Sequence, residues 1–434
     1  MIRTASMLCL APGVCAGLGL AACGGDDGPP APKTCSTSGG MGVLADLDVP
    51  CDPGGNGILL TASGEGFAKD GYAFPPVNPD DVYFVDGWSI TYDRILTTFD
   101  HITLSRGPNK VPTDQSQCDD GKGSTILCGT GSSVLAEVDG PFAVDLHKGG
   151  SQTDADGVGL DAAPFAALTG LNKQGNAAFD ETQAYAFGFE VVAATRSAHN
   201  INLDAAALSD YQDMVSKGYT TLLVGTATWQ GNNHGSDTNA GCTATTVAPA
   251  YDFTALPKTI AFRFGLVAPT VYRNAQNPAL MGNPANPDEE HPRGIQTTAN
   301  QSTIAQLTFH IDHVFWESFV HDSPAHFDSF ASRYAGATNP TATLEDFKGV
   351  AFAPFVDAQH HEMPFRSCVG TSAYAAPSDG AMTFDTLTIP VNPAGDPAKA
   401  IRDFYDYTTY NHSTFGHLNA DGLSFVDRQY PSPP

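Results

Sequence analysis

Positive charge is scarce in this chain: 21 Lys and Arg stand against 47 Asp and Glu, a formal net charge of -26. A nucleic-acid backbone is held by a basic surface, so this balance argues against a nucleic-acid partner. Charged residues of both signs amount to 16% of the chain, below the quarter usual for globular proteins. Gly, Ser, Thr, Asn and Asp take their place, as in many exported β-rich proteins, so the composition argues against a cytosolic nucleotide enzyme. Methionine is sparse too, 7 in all, which argues against a Met-rich copper carrier. The sequence has no GxSxG, no HExxH, no phosphate loop and no CxxCH, so the hydrolase, zinc-protease, nucleotide and haem signatures are absent. What remains is ample for folding. With 434 residues, 41% hydrophobic and 10% aromatic, the chain is long and apolar enough for one large core or two ordinary domains.

Long apolar runs are also missing. The longest begins after Arg3, covers residues 7–20, is broken by Pro12 and three glycines, and ends in Leu20-Ala21-Ala22-Cys23. It is too short and interrupted for a membrane-spanning helix, and nothing later reads as a span. This segment resembles a bacterial lipoprotein signal. The resemblance implies removal of residues 1–22, lipid on Cys23 with palmitate among its acyl chains, and a tether over 23–40 rich in Gly, Asp and Pro. Gly24 rather than Asp follows the cysteine, which for lipoproteins implies the outer membrane rather than retention at the inner one.

Six cysteines lie beyond the lipid-bearing one: Cys35, Cys51, Cys118, Cys128, Cys242 and Cys368. An even number in an oxidising compartment points to disulfides. The local expectations are Cys35–Cys51 and Cys118–Cys128, leaving Cys242–Cys368 to cross the chain. No CxxC is present to support a thiolate metal site.

Residues 41–434 read as strands separated by long loops, with a division into two packed halves near 275–303 as a variant. The strongest β pattern is 81–104, where Trp88, Ile90 and Tyr92 alternate with Ser89, Thr91 and Asp93. Shorter strands are expected at 133–138, 142–146, 184–195, 220–229, 259–267, 304–316 and 382–389. Asp204 as cap and Gly218 as stop bound a helix over 204–217. Further helices are expected at 324–334 and 397–407. The sum is a mainly β fold, a sandwich-like core with long loops and a few inserted helices. A faint echo between residues 89–93 and 306–310 raises the idea of duplicated strands.

Histidines are distributed unevenly: nine of 13 lie beyond residue 290. They are accompanied by Tyr, Phe and Asp, a composition that suits a metal held by imidazole and carboxylate. The sharpest local pattern is Thr308-Phe309-His310-Ile311-Asp312-His313. If the strand runs through it, His310 and Asp312 share a face about 7 Å apart along the backbone, and His313 turns toward the apolar side as a core histidine or a ligand on a separate face. The His-x-Asp pair resembles part of the iron facial triad of double-stranded β-helix oxygenases, without their alternating barrel pattern or a co-substrate cation. Other donors come from His321 and His326, from His360 and His361, and from His412 and His417 after the C-terminal helix. The expected metal set is therefore His310, Asp312, His321, His360, His361 and His412, holding zinc or copper and, less readily, iron. Calcium is a second reading, from Asp119-Asp120 and Asp154-Ala155-Asp156 in glycine turns, although neither completes an EF-hand loop.

These readings converge on a lipid-anchored envelope protein that binds a transition metal for capture, delivery or stabilisation of an envelope partner. A metal-dependent enzyme of the envelope, and a metal-free sandwich recognising glycan or protein, are the two alternatives. No catalytic residue is assigned.

Overall fold

The computed structural model describes residues 55–78, 81–108, 114–149, 162–231, 242–244, 251–318, 323–352, 354–368 and 401–429, with the backbone of three short strands before them. These residues belong to one compact unit, Lys33–Pro434. Its fold is mainly β, with two large sheets, few helices and no closed barrel among the described residues.

The smaller sheet has four strands in the order Ala163–Leu168, Ile58–Ser63, Thr303–Phe309, Gly416–Leu418. Ile58–Ser63 reads Ile-Leu-Leu-Thr-Ala-Ser and is buried at every position, as a central strand covered on both faces requires. It runs parallel to Thr303–Phe309, with Leu60 opposite Ala305 and Ser63 opposite Thr308. On the far side of Thr303–Phe309, Gly416–Leu418 pairs antiparallel and sets Thr308 opposite His417.

The larger sheet has 11 strands and is organised around Trp88–Ser105, 18 residues long. Its first half pairs with Thr221–Trp229 and its second half with Ala186–Val191. The two sheets meet through aromatic rings. Phe99 of the larger sheet lies 4.9 Å from Phe165 and 6.0 Å from Phe309 of the smaller, and Phe189 is also 6.0 Å from Phe309. Each buried phenylalanine contributes roughly 1.5–3 kcal/mol, so this row is a main adhesive between the layers. The sandwich-like expectation holds.

Local chemistry explains the inserted helices. Asp204 accepts from the backbone N–H groups of Ala206 and Ala207 at 3.0 and 2.9 Å, and Gly218 takes the left-handed φ of 69° that ends Ala205–Lys217. Ala207, Leu208, Tyr211 and Met214 recur at helical spacing and are buried. The helix expected at 324–334 shortens to Asp328–Ala331 followed by a 3-10 turn, Ser332–Tyr334. Toward the C-terminus the described helix is Phe404–His412, capped by Asp403. The strand expected at 382–389 lies outside the described residues.

One difference matters for function. The strand expected over 304–316 stops at Phe309, and Ile311–Phe315 coil into a 3-10 helix. The Trp316 indole N–H donates to Asp312 Oδ2 at 2.7 Å and its backbone N–H to the His313 carbonyl at 3.3 Å, closing the turn. The echo between 89–93 and 306–310 therefore joins segments of two different sheets.

Two of the expected disulfides are present, Cys118–Cys128 and Cys242–Cys368. The first staples the hairpin of Gln117–Asp119 and Thr125–Leu127. The second ties the short strand Arg366–Ser367 to its partner Thr243–Ala244. Cys23 and the Cys35–Cys51 pairing lie outside the described residues. No described helix is long and apolar enough to cross a membrane.

Candidate metal centre

Strand register brings the first two histidines together. Thr308 and His417 stand opposite each other, so their side chains share a face, and His310, two residues beyond Thr308, continues that face. The imidazoles of His310 and His417 stack at 4.2 Å between centroids with an interplanar angle of 22°. His310 is also held by its backbone N–H, which donates to the Phe415 carbonyl at 2.8 Å.

The 3-10 helix supplies the third. With three residues per turn, positions i and i+3 eclipse, so His313 returns to the side of His310. Its ring lies 5.6 Å from His310 and 5.4 Å from His417. One ligand atom from each of His310, His313 and His417 lies within 4.8 Å of the others, and the last two residues are buried. Three convergent imidazoles form a group capable of coordinating a transition-metal ion.

The tautomer of His313 follows from its neighbour. Thr414 Oγ1 donates its one proton to the Asn411 carbonyl at 2.7 Å and sits 2.8 Å from His313 Nδ1. The hydroxyl must therefore accept from Nδ1–H, which leaves the Nε2 lone pair for a metal. This tautomer is assigned from the hydrogen-bond network. The Trp316 ring packs on His313 at 3.6 Å and fixes its plane.

Two carboxylates stand near His310. Glu65 Oε2 lies 3.6 Å and Asp421 Oδ1 3.8 Å from His310 Nε2. Burial pushes the Glu65 carboxyl above its usual range, His310 pulls it back, and Asp421 and Asp312 add to the rise. The Tyr72 and Tyr92 hydroxyls beside Asp312 are pushed well above the usual phenol range, chiefly by burial.

Of the expected set, His310 is in the cluster. Asp312 is buried close by, but its Oδ2 accepts the Trp316 indole N–H, and the face it was to share with His310 does not exist because the strand has ended. His313, expected to turn away, is a member instead. His412 is fully buried in the Phe404–His412 helix, its ring 3.9 Å from Phe415, and neither ring nitrogen has a hydrogen-bond partner. His360 and His361 are exposed; His361 Nδ1 lies 3.3 Å from Asp357 Oδ2. His321 lies outside the described residues, as does Asp154-Ala155-Asp156. At the other calcium candidate, Asp119 accepts from Gly121 N–H and Asp120 from Lys122 and Ser124 N–H groups. These carboxylates cap their own turn.

His417, counted among the further donors, was left out of the expected set because nothing local marks it; only the pairing with Thr308 does. His313 carried a readable signal, since His-x-x-His at a strand end fits a helical turn as well as an alternating strand.

A second buried polar cluster lies in the core. Asp86 Oδ2 accepts from the Phe327 and Asp328 N–H groups at 2.8 and 2.6 Å. Asp328 accepts from Trp88 Nε1 at 2.8 Å and is paired by two nitrogens of Arg366. The Arg366 guanidinium stacks over Trp229 and Phe253 at 4.6 and 4.4 Å. Burial, with Asp328 next in weight, raises the Asp86 carboxyl.

Compared with known proteins, the chain matches no family model, no curated protein and no solved structure.

Proposed function

We propose that this chain is a lipid-anchored protein of the bacterial cell envelope that binds one transition-metal ion through His310, His313 and His417. The observation carrying this reading is the convergence of three imidazoles, one ligand atom of each within 4.8 Å of the others and two of the residues buried. The Leu20-Ala21-Ala22-Cys23 segment supports the anchor and the outer-membrane location. The acidic composition supports attraction of cations to the surface. The task is metal capture, delivery, or stabilisation of an envelope partner, rather than turnover of a substrate.

The test is metal content by mass spectrometry on protein purified without a histidine tag, as isolated and after reconstitution with zinc or copper. One ion per chain is expected, falling toward zero in His417→Ala with both described disulfides intact. Absence of metal before and after reconstitution would overturn the proposal.

A further inference from the structure

The larger sheet also has an outer face. Along Ala186–Val191, Phe189 turns inward, 6.0 Å from Phe309 of the smaller sheet. Gly188 and Glu190 alternate with it and face outward. Register collects polar residues around them. Thr103 stands between Gly188 and Glu137, each opposite it on a neighbouring strand. Glu190 stands opposite Val271 of the strand Thr270–Arg273. Between them lies a cavity of about 210 Å³, whose walls include His101, Thr103, Gly129, Glu137, Glu190 and Arg273.

Two backbone features shape this cavity. A Cβ on Gly188 would stand 2.8 Å from the Tyr272 carbonyl oxygen and 3.2 Å from Thr103 Oγ1, so glycine lets three strands close beneath the space. Asp100 and Thr103 face Glu190 and Gly188, which leaves one extra residue on the central strand, a β-bulge. His101 lies in it with a left-handed φ of 47°.

Charge singles out one wall residue. Glu137 is ion-paired with Lys173. Arg273 donates to Asp427 Oδ2 at 2.9 Å and only 11% of its side chain is exposed. His101 Nδ1 lies 3.3 Å from Asp139 Oδ1. Among the described residues, the half-buried Glu190 carboxylate has neither a hydrogen bond nor an ion pair. Burial raises this carboxyl above its usual range, and the charges of His101 and Arg273 pull it back. Keeping a carboxylate there without a partner is costly, and it gives the cavity one uncompensated negative charge.

A calcium ion takes about six to eight oxygen ligands, more than one uncommitted carboxylate offers. An ammonium group can be held by that carboxylate through a charge-assisted hydrogen bond. The cavity has the volume of about seven waters at roughly 30 Å³ each. It is smaller than the about 300–1,000 Å³ typical of sites for drug-sized ligands.

We infer that this cavity binds a small organic monocation, a primary amine held by its ammonium group on Glu190. The inference is independent of the histidine trio, which is built on the smaller sheet.

The experiment is isothermal titration of the whole protein with ethanolamine and glucosamine, and with ethylene glycol and N-acetylglucosamine as their uncharged counterparts. At least one amine is expected to bind with a dissociation constant of about 1 mM or tighter, and its uncharged counterpart at least about tenfold more weakly. Glu190→Gln should weaken the amine about 10–100-fold. Its ligand-free thermal midpoint should stay at or above that of the unsubstituted protein, because an unpaired charge is removed. Val271→Phe keeps the carboxylate but takes up space beside it, and should weaken glucosamine more than ethanolamine. No amine binding tighter than about 10 mM would overturn the proposal. Equal affinity for the uncharged counterparts would overturn the ammonium class. Amine affinity unchanged in both variants would place the ligand elsewhere and overturn the role of this cavity.

Discussion

Nδ1 of His313 and Oγ1 of Thr414, 101 residues apart in sequence, lie 2.8 Å apart. Since the threonine hydroxyl gives its own proton to the Asn411 carbonyl, it acts on the imidazole as an acceptor and selects the tautomer that presents Nε2. Thr414→Val removes that acceptor at nearly constant volume. Metal affinity is expected to fall about 10–100-fold with little change in the metal-free fold. Isothermal titration of the variant checks this, and an unchanged dissociation constant would deny Thr414 a role.

Phe309 closes the strand before His310 and touches both sheets, with Phe99 and Phe189 on one side and Phe415 at 5.0 Å on the other. Phe309→Ala should cost about 3–5 kcal/mol in urea unfolding and weaken metal binding as well, because the cavity opens beneath two ligands. A variant destabilised by that amount with unaltered metal affinity would show that the site does not depend on this packing.

Burial lowers the His412 pKa from 6.5 to about 3. The folded state therefore holds this imidazole neutral while the unfolded state protonates it below 6.5. Its contribution to stability is complete above pH 6.5 and is lost progressively as the pH falls toward 3. At pH 5 the loss is about 2 kcal/mol, at 1.36 kcal/mol per pH unit. His412→Leu cannot protonate, so the stability difference between variant and parent should shift by about that amount in the variant's favour from pH 7 to pH 5. Denaturant curves at the two pH values measure it; a difference independent of pH would contradict this account.

Arg366 neutralises Asp328 inside the core, both side chains being at most 7% exposed. Arg366→Ala would leave a buried carboxylate facing Asp86 without its cation, and about 3–5 kcal/mol of destabilisation is expected. The double variant Arg366→Met with Asp328→Asn should recover much of that loss, because the uncompensated charge goes with it. Chemical denaturation of both would decide; a double variant as unstable as the single one would argue against the charge explanation.

Much of the scaffold was legible because its signals are local. Asp204 and Gly218 bound the helix they were expected to bound, and the alternation of Trp88, Ile90 and Tyr92 marked the strand at the centre of the larger sheet. Cys118 and Cys128 were expected as partners from proximity, leaving Cys242 for Cys368. Of the trio, only His310 stood in the expected set. Period-two reasoning placed Asp312 beside it and sent His313 away, and the change to a three-residue turn at Ile311 reversed both. His417 depends on register between strands far apart in sequence, and register is settled by the burial of whole faces rather than by neighbouring residues. His360, His361 and His412 matched the composition of a site without sharing its location.

The neighbour relation between Thr308 and His417 also sets a timetable. A chain still being synthesised has His310 and His313 but not His417 until the strand Gly416–Leu418 has emerged and paired. Under the proposed assignment, the ion is then the last component to arrive: the polypeptide pairs its strands first, and only the folded sheet offers all three imidazoles to a metal.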